Sequence, residues 1–362
     1  MRLLCLLSLD RFGDYVGDGV VAPVRETGAQ ALGASLLPLP PAAVEAVVRA
    51  VLVLLRRKEW EVRHSALLAL RYVLAARSAL APRLLPAALP AAASALNDKD
   101  DDVRGAAAEA LLPAAQHLPA HPGFPPLLAS LWGLLGRLDD DDLLTSPSNV
   151  PVMRLLARLY ALPETRAVAP AGAGSSLADV VPSLFPFAAH PIVAVRLAVW
   201  QTLRELLKDG GDGDGGGGGG DGGGGGGGGG DGNMWLDMVA GSALRILFQA
   251  VLLEEDAATA AAAAGAWEDV LRCASAGAVA AAVHHHVAAW CQLAATASGV
   301  RPDARLLFVM SLGSGGQGVS GADERAPVST SEWTVATSGR LRGIAALSQL
   351  AKVLVGTVDP NG

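Results

Sequence analysis

Cysteine is scarce in this chain. Cys5, Cys273 and Cys291 are the three among 362 residues, and no two of them form a C-x-x-C pair. An odd, scattered set excludes a disulfide framework and fits a reducing compartment. Aromatics make up 4% of the residues, so a strand-rich core of rings and β-branched side chains has little to draw on. Basic charge is short as well. Lys and Arg number 28 against 35 Asp and Glu, for a net charge of −7. That balance argues against direct nucleic-acid binding, which needs clustered cations to release counterions, and it suits a basic protein partner better. No nucleophile elbow, kinase loop, Walker motif or zinc-ligand spacing occurs. The chain by itself therefore reads as non-enzymatic, with no cofactor, metal or small-molecule substrate expected.

A membrane span is not expected either. Cys273 to Val300 lacks Asp, Glu, Lys and Arg and is long enough to cross a bilayer. Its apolar content is mostly Ala, and it contains His284, His285, His286 and Gln292. The leading MRLLCLLSL is ended by Asp10 and Arg11 without a small-residue cleavage site, so it does not read as a signal peptide.

What the chain has is Ala and Leu at helical spacing, which predicts an all-α fold. Within it a repeat recurs. PVRETGAQALGASL from Pro23, EVRHSALLALRYVL from Glu61, DVRGAAAEALLPAA from Asp102 and AVRLAVWQTLRELL from Ala194 align on Val-Arg. The Val, the residue four on and the Leu eight on share one helix face. These triplets are Val24, Gly28, Leu32; Val62, Ala66, Leu70; Val103, Ala107, Leu111; and Val195, Val199, Leu203. The step from 24 to 62 is 38 residues and from 62 to 103 it is 41. A period near 40 falls in the HEAT and armadillo range. Looser copies begin at Met153 (MRLLARLYAL) and Leu341 (LRGIAALSQL). Ala42–Leu55 and Leu84–Leu96 read as first helices of their pairs, giving a HEAT-repeat α-solenoid of stacked antiparallel helix pairs.

The expected organisation is HEAT repeats over 1–209, with Val-Arg helices near 24, 62, 103, 153 and 195. A flexible polyglycine linker at 210–232 follows, spanning roughly 25 Å root-mean-square. Further helical repeats occupy 233–312, a second linker 313–331, and a last partial repeat 332–362.

Two features look chemical and are read otherwise. Three consecutive histidines on a helix point about 100° apart, so His284 to His286 cannot converge on one ion as an i, i+4 pair does. The run Asp139 to Asp142 reads as a helix cap. A solenoid's variable turns form its binding edge, which makes Glu59, Trp60, Asp98, Lys99, Asp100 and Asp101 the candidate partner-binding residues. Asp98, Asp100, Asp101 and Asp102 also suit a helix N-terminus, and they could reach the Arg of the same or a neighbouring repeat. Asp10 to Gly19 (DRFGDYVGDG) is not explained by the repeat. A polar helix face and a glycine-broken turn both fit it.

DRFGDYVGDGVVAPVRETGAQALG resembles a segment of the TATA-binding-protein-associated factors of the Mot (modifier of transcription) type. So do WEVRHSALLALRYVLAAR, LPAAASALNDKDDDVRGAAAEALLPA, LWGLLGRLDD, VVPSLFPFAAHPIVAVRLAVWQTL and MWLDMVAGSALRILFQAVLLEE, in order. The likeness runs from about Leu3 to Leu271, with GRLRGIAALSQLAKVL as a last anchor. It implies a nuclear protein whose HEAT repeats grip the TATA-box-binding protein, touching DNA only through that partner. It also implies a helicase-type ATPase, C-terminal in the family, that strips the partner from promoters. This chain begins inside the array, stops before any ATPase motif and carries a polyglycine insert without a family counterpart. It is therefore expected to be a fragment, and MRLLCLLSL lacks the polar face of a terminal repeat. A general HEAT adaptor with another partner is the alternative.

Overall fold

A computed structural model of the chain describes residues 2–12, 14–16, 19–137, 146–208, 234–307 and 334–358. The polyglycine stretch, the whole of the second expected linker and the Asp139 to Asp142 run lie outside these residues. The chain falls into two compact units, Met1–Ser175 and Ser176–Gly362.

The first unit begins with helix α1 (Arg2–Leu9) and a small antiparallel hairpin, β1 (Asp14–Val16) and β2 (Gly19–Val21). Asp14 stands opposite Val21, and Val16 opposite Gly19. Helices follow in order: α2 (Pro23–Ser35), α3 (Pro41–Leu54), α4 (Trp60–Ala76), α5 (Ala81–Ala95), α6 (Asp101–Leu111), α7 (Phe124–Leu135) and α8 (Asn149–Tyr160). Apart from the hairpin and an isolated β-bridge between Pro170 and Gly172, the regular structure among the described residues of this unit is helical, as an Ala- and Leu-rich sequence favours. The α2, α4, α6 and α8 helices pack side by side in one row, while α3 and α5 form a second row against them.

Packing follows the period read from the sequence, with exceptions. Val62, Ala66 and Leu70 are fully buried, and so are Val103, Ala107 and Leu111. The α4 helix is buried at every position from Val62 to Leu70, because neighbours from both rows surround it. In α2, Gly28 and Leu32 are buried but Val24 faces solvent, 43% exposed. Its neighbour Arg25 turns inward instead and is wholly buried. Helices α2 and α4 approach closely at Gly33, where a Cβ would stand 2.8 Å from the Tyr72 carbonyl oxygen. In α7, the buried Trp132 donates its indole N–H to the Tyr160 hydroxyl at 3.1 Å.

The second unit contains α9 (Val193–Leu207), α10 (Met234–Leu253), α11 (Ala257–Cys273), α12 (Ala276–Ala295) and α13 (Thr337–Val358), preceded by a 3₁₀ segment, Val181–Ala189. Here α9 packs on α11, and α10 packs on α11, α12 and α13. Val195, Val199 and Leu203 are buried as the repeat requires. Phe248, Trp267 and Trp290, from α10, α11 and α12, bring their rings to within 5.6–5.9 Å of one another. The Leu341 copy is out of register, since Leu341 is 66% exposed while Gly343, Ala346 and Leu350 turn inward.

Candidate functional site

The turns between paired helices share one construction, built around the Arg of the Val-Arg pair. In α4, α6 and α9 this Arg sits four residues past the N-cap. Arg63 follows Glu59, Arg104 follows Asp100 and Arg196 follows Ile192. From there each guanidinium folds back onto its own turn. Arg63 Nη1 donates to the carbonyls of Arg57 and Lys58 at 3.1 and 2.6 Å. Arg104 Nη1 donates to Asp98 and Lys99 at 3.0 and 3.2 Å, and Arg196 Nη1 to His190 and Pro191 at 2.8 and 3.0 Å. The fork geometry of arginine leaves its other edge free for a carboxylate. Arg63 meets Asp98 of the next turn through two bonds of 2.7 Å. Arg196 meets Glu254 in the same way, at 2.7 and 2.9 Å.

Arg25 is the variant of this device that ties down the lead-in. Its N-cap is Ala22, so it sits three residues past the cap. It donates to the Phe12 carbonyl at 2.8 Å and to the Glu61 carbonyl at 3.2 Å, and lies 3.4 Å from Asp10. Its guanidinium covers the Trp60 ring at 5.1 Å. Burial pulls its pKa below the usual arginine value, against the pull of Asp10 and Glu61. The Met153 copy lacks the device. Arg154 is exposed and joins Glu109, at 3.5 Å, in a surface network with Arg71, which is 2.6 Å from the same carboxylate.

The candidate residues separate on this geometry. Glu59 caps α4 without a side-chain hydrogen bond and lies 3.9 Å from Arg11, both half-exposed. Trp60 is half-buried beneath Arg25 and edge-on to His64. Asp98 is occupied by Arg63 and also accepts the Asp100 N–H at 3.0 Å. Burial alone would raise its carboxyl, but the Arg63 hydrogen bonds and the Asp100 N–H outweigh burial and hold it below the usual range. Asp100 accepts the Val103 N–H as the α6 N-cap, at 3.3 Å, and burial pushes its carboxyl up. Asp101 accepts from the Ser146 hydroxyl at 3.3 Å. Lys99 is exposed at the tip of the turn. The carboxylates of Asp100, Asp101 and Asp102 lie within 4.8 Å of one another. The rings of His284, His285 and His286 splay along α12, with His286 against Trp290 at 5.7 Å and the other two exposed.

Paired helices with a regularly stapled turn edge define the chain as a HEAT-repeat protein. The profile of the HEAT-like repeat family matches residues 60–111, the span from α4 through α6. Over most of its length the chain is homologous to a segment of the TATA-binding-protein-associated factors of the Mot type. It is 34% identical over 338 residues to TATA-binding protein-associated factor BTAF1 of Arabidopsis thaliana, covering 85% of this chain and 16% of that protein. It is 35% identical over 310 residues to TATA-binding protein-associated factor 172 of Homo sapiens, covering 85% and 15%. The yeast factor MOT1 of Saccharomyces cerevisiae is 34% identical over 273 residues, covering 70% and 13%. The chain thus spans about a sixth or less of the length of these relatives. Among solved structures, an archaeal HEAT-like repeats protein from Thermococcus onnurineus NA1 aligns over 92% of this chain and 100% of its own, at 14% identity and a TM-score of 0.42.

Proposed function

We propose that this chain is a stretch of the HEAT array of a Mot-type factor and that it engages the TATA-box-binding protein through its repeat-edge turns. The observation that carries this reading is the 34% identity, over 338 residues, to a TATA-binding protein-associated factor. The edge supports it physically, because its turns are held in fixed positions from within and leave Glu59, Trp60, Lys99 and Asp101 at or near the surface. In this reading the chain works in the nucleus and reaches promoter DNA only through its partner. A helicase-type ATPase, carried elsewhere in such factors, performs the removal step, while this stretch contributes grip and orientation. Complementary charge at the edge would chiefly raise the rate of encounter and set the docking angle.

The test is retention of purified TATA-box-binding protein by the full chain. Binding is expected to weaken with salt, and to weaken several-fold when Glu59→Lys and Asp101→Lys are combined with an unchanged circular dichroism spectrum. Binding insensitive to both treatments would refute the role of the acidic edge. No binding at any ionic strength would refute the partner itself.

A further inference from the structure

The turn between α10 and α11 has every part of the stapled construction except one. Glu254 receives Arg196 on its carboxylate, as Asp98 receives Arg63. Its carboxylate also accepts the backbone N–H groups of Glu255 and Asp256, at 3.1 and 3.0 Å, as Asp98 accepts that of Asp100. Asp256 then caps α11 by accepting the Thr259 N–H at 2.8 Å, as Asp100 accepts that of Val103. Four residues past this cap, where Arg63, Arg104 and Arg196 stand in their own helices, the chain has Ala260. The Glu254 carbonyl therefore has no arginine from its own helix.

It has one from elsewhere. Arg342 of α13 donates through Nη2 to the Glu254 carbonyl at 2.5 Å, and through Nε to the Val251 carbonyl at 2.9 Å. The Glu254 carbonyl lies six residues before Ala260, as the Asp98 carbonyl lies six before Arg104. Val251 is in the last turn of α10, where carbonyls lack intrahelical donors and a cation is favoured. Close approach makes this reach possible. A Cβ on Gly339 would stand 2.0 Å from the Leu252 carbonyl oxygen, and one on Gly343 would stand 3.0 Å from Leu252 Cδ1. Glycines one turn apart thus seat α13 directly on the end of α10. The Arg342 pKa is lowered by burial there.

We infer that Arg342 is the turn arginine this repeat lacks, delivered in trans by α13, and that α13 is a strap whose docking orders the α10–α11 turn. Arg342 is a positioning residue. Its own sequence copy, LRGIAALSQL, looks like one more Val-Arg helix, but its arginine serves the turn of an earlier pair.

The test is hydrogen exchange on the full chain, read at Glu255 to Thr259 and along α13. Arg342→Ala is expected to speed exchange at both places by about tenfold, the loss of a charged hydrogen-bonding group to backbone carbonyls. Adding Ala260→Arg to that variant should restore protection at the turn and leave α13 loose, because the arginine then arises from α11 itself. A general packing defect would not be repaired in that pattern. Unchanged exchange in Arg342→Ala, or a folded double variant with no recovery at the turn, overturns the inference. If circular dichroism shows the double variant unfolded, Gly339→Ala decides. It keeps Arg342 but pushes α13 off Leu252, so it must expose the same turn, and protection there would overturn the inference.

Discussion

Lowering the pH from 7 to 5 is expected to loosen α4 through one side chain, His64. The residue is 8% exposed, its Nδ1 has no hydrogen-bond partner, and its ring sits edge-on to Trp60. Burial, reinforced by the nearby Arg25 guanidinium, pushes its pKa down to about 3. An unfolded histidine titrates near 6.5. Between these values the unfolded chain binds a proton that the folded chain refuses, so stability is complete above the upper value and is lost as pH falls toward the lower one. From pH 7 to pH 5 the loss from this group is about 2 kcal/mol, or about thirty-fold in the population of the opened state. Native-state hydrogen exchange of the α4 amides, corrected for the intrinsic effect of pH, measures it. His64→Phe keeps a ring beside Trp60 and removes the titration, so its α4 protection should change by about 2 kcal/mol less over the same interval. Coincident pH dependence in the two proteins would show that His64 protonates in place, and the burial argument would fail.

Other perturbations bear on the staples and the close contacts. Asp98→Asn should cost about 2 kcal/mol in urea unfolding, because it removes the charge facing a bidentate and largely buried Arg63. Gly33→Ala should lower stability by about 1–3 kcal/mol, because the new methyl group meets the backbone of Tyr72 and cannot be relieved by a rotamer change; an unchanged melting midpoint would show that α2 and α4 can separate freely.

The helices and their buried faces were legible in the sequence because a period near 40 and a four-residue spacing both survive in local composition. Val62, Ala66 and Leu70 illustrate this, being chosen by spacing and fully buried. That the acidic turn could reach the Arg of the same or a neighbouring repeat was legible, and Arg63 does meet Asp98. Periodicity did not single out which acid pairs with which arginine. Val-Arg serves as a marker of the repeat, yet Arg63 and Arg196 are stapling groups whose acids lie 35 and 58 residues onward. Separations so unequal leave no fixed spacing to find. Arg342 was harder still, since its geometry depends on Gly339 and Gly343 lying against α10 rather than on any motif. The hairpin did leave a signal. Of the two readings open for Asp10 to Gly19, the glycine-broken turn is the one that agrees with the antiparallel pairing of β1 and β2, and the polar helix face does not. Among the candidate residues, sequence position identified the turn but not its division of labour. Asp98 faces Arg63 and Lys99 faces water one residue later, a difference set by tertiary contacts.

The guanidinium shared by neighbouring turns also acts as a gauge. Arg63 holds the carbonyls of residues 57 and 58 on one side and the carboxylate of Asp98 on the other, so one planar group sets the distance from turn to turn. Side chains at the tips can vary without altering that interval. The two turns that Arg63 joins therefore keep a set spacing whatever residues stand at their tips.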